Sequence, residues 1–204
     1  MVNTAIGEAQ IRCNDRAYLF RPSFFALSKI CEIQDPLELL KRLNILYLVK
    51  DKDVLHSADA MACCLIIFQC CYVGEYDQDI LMDDIGCIVE SKTKKGRFLF
   101  KQSNIPQHDL IVISRYLLEK ALIGKPKVEP KYKNSKDIVV IDANEFVACA
   151  VAHLGIDNKA AWDMTMTEFQ RAMESKFPDQ LEEKGMTESE YDKMIEKAEA
   201  RGYH

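Results

Sequence analysis

The sequence holds one tryptophan in 204 residues and none of the short motifs that mark common catalytic or nucleotide sites. There is no G-x-S-x-G, no G-x-x-x-x-G-K and no G-x-G-x-x-G, so the nucleophile elbow, the phosphate loop and the dinucleotide fingerprint are all missing. Four histidines, His56, His108, His153 and His204, are scattered without H-E-x-x-H spacing. Ser91-Lys92-Thr93-Lys94 fits S-x-x-K, but the companion motifs of that chemistry are absent. The expectation is a protein that is not an enzyme and uses no cofactor.

Long apolar runs are also lacking. The longest, Met61–Val73, is interrupted by Gln69 and falls short of the roughly 20 residues a membrane helix needs. It reads instead as a buried core helix. The N-terminal stretch MVNTAIGEAQIRC has no basic region followed by an apolar one, so no secretory signal is expected. Eight cysteines in that setting read as reduced, and four of them sit in the one apolar run, as small buried hydrophobes do. The net charge of -5 argues against a general nucleic-acid binder, although a local basic patch is compatible with it.

Two metal readings fail on geometry. Cys63, Cys64, Cys70 and Cys71 lie on one predicted helix, where positions seven apart are separated by roughly 10 Å along the axis. Thiolates must each come within roughly 2.3 Å of a shared zinc, so one site cannot gather all four. Glu75, Asp77, Asp79, Asp83 and Asp84 suggest calcium, but the loop positions that need glycine and glutamate hold Ile80 and Gly86, or Met82 and Ile88. A solvated acidic helix start is the reading adopted, and no metal is expected.

What the chain does contain is helix punctuation. Residues 8–21 alternate as a β-hairpin with Asn14-Asp15 at the turn, Ala9, Ile11 and Cys13 facing Ala17, Leu19 and Arg21. Pro22 opens a helix over SFFALSKICEI, and Asp35-Pro36-Leu37-Glu38 opens another, with a cap acid and a first-position proline, running to about Val49. Ser57 is placed to cap a helix over Ala58–Val73, and residues 78–91 read as a further amphipathic helix. Arg97–Lys101 alternates as a short strand. Pro106 starts a helix with a Leu110, Ile113, Leu117 and Ala121 stripe that Gly124 and Pro126 end. Lys125–Lys136, with five lysines and one acid, reads as a solvated linker. Asp137–Ile141 is a short extended entry, and Asp142 caps a helix that ends at Gly155.

The fold class is therefore α+β, predominantly helical. It comprises a β-hairpin with a helical bundle at 1–124, a Lys/Pro-rich linker at 125–136 and a small helical subdomain at 137–204.

Ala161–Pro178 is the most informative stretch. Thr165 is a helix cap, Glu168 stands where its carboxylate can reach back to the cap, and Met164 and Phe169 are spaced as a hydrophobic staple. Met186-Thr187-Glu188-Ser189-Glu190-Tyr191 repeats the pattern M-T-x-[ST]-E-aromatic, which suggests a helical hairpin. Met and Phe at helical spacing either pack on the chain's own core or offer an adaptable face to a partner. The candidate partner-binding residues are Trp162, Met164, Met166, Phe169, Met173 and Phe177.

Two stretches carry a family resemblance. One is the hairpin running into R-P-S-F, Asn14–Ser28 (NDRAYLFRPSFFALS), followed by the leucine-rich Leu37–Leu48 and by Ile105–Lys125. The other is Trp162–Pro178, with tryptophan, M-T-x-x-E-F and a helix ending near K-F-P. Together they resemble tail assembly chaperones of long-tailed, non-contractile bacteriophages, most firmly over Asn14–Leu48 and Asn144–Pro178. The resemblance implies a non-catalytic protein of the host cytoplasm, absent from the mature virion. Its partner would be the tape measure protein, kept soluble while the tail tube forms; the tail tube protein and a second copy of the chain are further candidates. No membrane partner is expected. Against it stands a regulatory protein that binds nucleic acid through the Lys125–Lys136 strip.

Overall fold

The computed structural model describes residues 2–48, 58–93, 95–103, 105–124 and 141–178. Ser57, the Lys125–Lys136 strip, most of Asp137–Ile141, the second capping signature at Met186–Tyr191, His56 and His204 lie outside the described residues.

A 3-10 turn at Thr4–Ile6 leads into strands β1 (Ala9–Cys13) and β2 (Arg16–Phe20). Eight helices follow among the described residues: α1 (Phe24–Ile33), α2 (Pro36–Leu48), α3 (Ala58–Cys71), α4 (Gln78–Ile85), α5 (Gln107–Leu122), α6 (Ala143–Leu154), α7 (Asn158–Asp163) and α8 (Met166–Lys176). Between α4 and α5 a second antiparallel pair forms, β3 (Gly86–Glu90) with β4 (Phe98–Gln102). The architecture is α+β and predominantly helical, as the periodicity predicts.

The first hairpin corrects the expected facing. Asn14 and Asp15 take φ of 47° and 60°, a two-residue turn whose twist suits paired strands. That turn sets Cys13 opposite Arg16, Ile11 opposite Tyr18 and Ala9 opposite Phe20. Tyr18 and Phe20 are therefore the buried partners, while Ala17 is exposed. A one-residue slip exchanges the two faces of a strand, so a misread turn misplaces every side chain after it.

The expected helix over residues 78–91 also stops early. Gly86 has φ +125°, and a Cβ there would lie 2.4 Å from the Phe100 ring. The chain leaves α4 at this glycine and becomes β3, whose Ile88 pairs with Phe100. Pro22 precedes α1 rather than opening it: Ser23 is the cap, its hydroxyl accepting from the Ala26 N–H.

The main core packs α2, α3 and α5 against the β1–β2 hairpin. Phe20, Phe68, Leu39, Leu43, Met61, Leu110 and Leu117 are closed to solvent in it. α3 is buried on nearly every side, in keeping with its apolar sequence. Cys63 and Cys64 donate to the carbonyls of Asp59 and Ala60 in the preceding turn. Burial pushes the thiols of Cys64 and Cys70 up to about 12 and about 11, so both are protonated at neutral pH.

Helices α6 to α8 form no separate layer. α6 and α7 lie on α1, and a second core of Phe24, Val147, Ala150, Ala161 and Met166 joins them.

Candidate functional site

The two stretches that carry the resemblance meet in space. β2 delivers Arg21 to the rim of the second core, where its N–H donates to the Cys71 carbonyl at 2.7 Å. The guanidinium then makes three bonds: to Glu8 Oε1 and Glu168 Oε2, each at 2.6 Å, and to the Asp163 carbonyl at 3.0 Å. Burial alone would lower the pKa of Arg21, and the two carboxylates outweigh it and hold the pKa above the usual arginine value. Glu168 serves twice, because Oε2 also accepts from the Thr165 N–H at 2.9 Å while Thr165 Oγ1 accepts from Glu168 N–H. The predicted capping box is therefore present and anchors the arginine as well.

Two residues beyond Arg21 and Asp163, the backbones of Ser23 and Thr165 form an isolated antiparallel bridge. The Phe24 N–H donates to the Met164 carbonyl at 2.8 Å. The Phe24 ring stacks on Phe146 at 5.5 Å between centroids and meets the Phe169 ring edge-on at 5.7 Å. α5 completes the joint from the other side. Gly124 has φ +69°, and a Cβ there would sit 2.8 Å from Met166 Cγ; Gln170 Nε2 caps the nearby Ile123 carbonyl at 2.8 Å.

This arrangement sorts the candidate partner-binding residues. Met166 is buried at 4% exposure, so it is internal packing and presents no open surface; helix α8 turns that residue toward α1 and Gly124. Met164 and Phe169 are half-buried against the second core. Trp162 belongs to a different helix, α7, which Asp157 caps and the sequence reading missed. Its ring meets Phe25 edge-on at 6.5 Å, beside a groove of about 730 Å³ that Ser28, Glu32 and Asn144 also line. Met173 borders a second groove of about 420 Å³ with Phe146, Cys149 and Phe169. Phe177 lies half-buried against the His153 ring.

A second ion cluster was not foreseen. Asp84, read as one of several solvated acids, is 4% exposed. It accepts from Asn14 Nδ2 at 2.7 Å, Arg16 Nη1 at 3.0 Å and the Tyr18 hydroxyl. Burial alone would raise its pKa; those donors outweigh it and hold the carboxyl below its ordinary range. Burial, with the bond to Asp84 adding to it, pushes the Tyr18 hydroxyl up to about 12. Asp84 and the Tyr18 hydroxyl are turned inward onto each other while Asn14 and Arg16 reach in from the surface, so the cluster fastens the hairpin to α4.

Among the described residues no group of three or more His, Cys, Asp or Glu side chains could hold a metal ion. No described helix is long and apolar enough to cross a membrane. A family model described as "Family of unknown function (DUF6246)" matches residues 20–193. Neither a curated protein nor a solved structure matches the chain.

Proposed function

Since the chain belongs to the DUF6246 family, whose function is unknown, we propose its role from its own residues: a non-catalytic phage tail assembly chaperone that binds the tape measure protein. The observation that carries the reading is the joint itself. Arg21–Phe24 and Asp163–Phe169 are the two motif cores of the resemblance, far apart in sequence, and they form one bonded unit.

The surface beside that unit suits a helical client. Phe25 is 49% exposed next to Trp162, with Lys29 Nζ 4.2 Å above its ring. Across α6 the second groove offers Phe146, Phe169 and Met173 between Glu145 and Glu174. Apolar floors of aromatic rings and methionine, rimmed by charge, accept amphipathic helices of varied sequence. In this reading the protein acts in the host cytoplasm and is left out of the mature virion.

Co-expression with a tape measure protein tests it. The expected result is a higher soluble yield of that client and a complex that co-purifies. Phe25→Asp, on an exposed side chain, is expected to abolish the complex while leaving the helical circular dichroism unchanged. No gain in solubility and no complex with the parent chain would overturn the proposal.

A further inference from the structure

The β3–β4 pair takes no part in the joint or its grooves. Its connection, Ser91–Arg97, reads S-K-T-K-K-G-R and contains no acid, in a chain whose net charge is -5. Lys92, Lys95 and Arg97 are all exposed. None of them takes part in an ion pair among the described residues. The nearest acid in sequence, Glu90, is engaged: Oε1 accepts from the Gly96 N–H at 2.8 Å and closes the turn. The Ser91 N–H donates to the Arg97 carbonyl at 2.7 Å, so the base of the cationic tip is fixed by the ladder. Directly behind it Phe98 is 60% exposed, and the cross-strand pair Val89 and Leu99, on the opposite face of the ribbon, is less open at 40% and 42%.

The order of these groups along the hairpin limits what can bind. Insertion into a bilayer would have to take Lys92 and Lys95 into the membrane before Phe98, the reverse of how amphipathic anchors are built. An acidic peptide would match the charges and leave the aromatic ring without a planar partner. Phosphates held at a cationic tip with a base against an exposed ring use both features, which is the way sequence-tolerant single-strand binders work. We propose that the β3–β4 tip binds single-stranded nucleic acid, with Lys92, Lys95 and Arg97 on phosphates and Phe98 as the stacking surface. The negative charge of the remaining chain would orient the approach toward this end. This site is independent of the chaperone reading, and either can fail without the other.

Fluorescence anisotropy of the full chain with a fluorescein-labelled single-stranded DNA of about 20 nucleotides, longer than one such surface covers, is the test. Affinity is expected to fall steeply between about 50 and 200 mM salt. The triple variant Lys92→Ala/Lys95→Ala/Arg97→Ala is expected to flatten the log–log salt slope by about 2, from about 0.7 per phosphate contact. Phe98→Ala is expected to weaken binding on the order of tenfold at every salt concentration with the slope unchanged. All four side chains are exposed, so these variants keep the fold, and Lys92→Glu/Lys95→Glu gives a second route to the same loss. No binding at the lowest salt overturns the proposal, as does a triple variant that binds like the parent, which would place the contact elsewhere, such as the Lys125–Lys136 strip. Equal competition by poly-L-glutamate also overturns it and assigns the tip to an acidic polypeptide; tighter binding to phosphatidylserine vesicles than to DNA overturns it in favour of a membrane surface.

Discussion

The β1–β2 hairpin is held at its two ends by opposite electrostatic designs. At the turn, one buried carboxylate, Asp84, is served by three donors from the hairpin, and Arg16 keeps much of its side chain in water. At the exit, one guanidinium, Arg21, is served by two carboxylates and a carbonyl drawn from three parts of the chain. The first cluster fastens the hairpin to its own helical core through α4. The second fastens the C-terminal helices to the N-terminal ones. A buried anion with only one cation nearby depends on neutral donors for its solvation, whereas a central arginine spreads its charge over partners that can be lost one at a time.

The largest expected effect comes from breaking the exit end at its apolar side. Phe24 is 1% exposed and joins α1 to Phe146 and Phe169. Phe24→Ala is expected to cost about 3–5 kcal/mol in denaturant unfolding. Hydrogen exchange is expected to show α6 to α8 opening first, with the main core still protected. Uniform loss of protection would mean that the two cores melt as one unit and that the joint is no boundary.

Asp84→Ala attacks the other end. Removing the acceptor takes the carboxylate away from the buried Tyr18 hydroxyl, at about 2–3 kcal/mol. The pH dependence separates the clusters further. The folded pKa of Asp84 lies below its unfolded value, so its contribution is complete above the ordinary carboxylate range of about 4. It is lost as pH falls through the folded pKa. The parent protein is expected to lose stability on acidification below about pH 4 more steeply than Asp84→Ala. Parallel stability curves for the two proteins would contradict the role given to this carboxylate.

Arg21→Met keeps the side chain's bulk and removes the charge, separating packing from pairing at the joint. A loss of about 2 kcal/mol is expected, because Glu8 is left buried beside an apolar group. The protection lost is expected to fall on α8, which carries Glu168, and on the Thr4–Ile6 turn, whose Asn3 cap donates its N–H to Glu8, and to spare α4. Equal loss at α4 would show that the two ends of the hairpin are coupled.

How far the sequence could be read follows the same division. The caps at Asp35, Asp142 and Thr165 act within one turn of helix, and their local signals, with Pro22 before α1, place α1, α2, α6 and α8 within a residue or two. What depends on distant partners was misplaced. The inward face of β2 hinges on the φ of two turn residues, and the end of α4 hinges on Phe100 crossing over Gly86. Asp84 reads as one acid among five because its three donors lie about 70 residues earlier in the chain. Likewise, Glu168 was recognised as half of a capping box, and nothing in its neighbourhood announces Arg21.

Thr165→Ala gives the smallest expected effect and the finest test of the joint. As a simple cap, Thr165 supplies one hydrogen bond to the Glu168 N–H, and its loss costs about 1 kcal/mol. In this protein the cap is also fully buried, and its own N–H holds the carboxylate that binds Arg21. That N–H survives the substitution, so the Arg21–Glu168 bond is expected to remain and the cost to stay near the value of an isolated cap. A double-mutant cycle with Arg21→Met measures the difference. A coupling energy within about 0.5 kcal/mol of zero means that the backbone alone positions Glu168. A coupling well above that means the hydroxyl and the arginine share one network, and the exit end of the hairpin then resembles the turn end more than their opposite charges suggest.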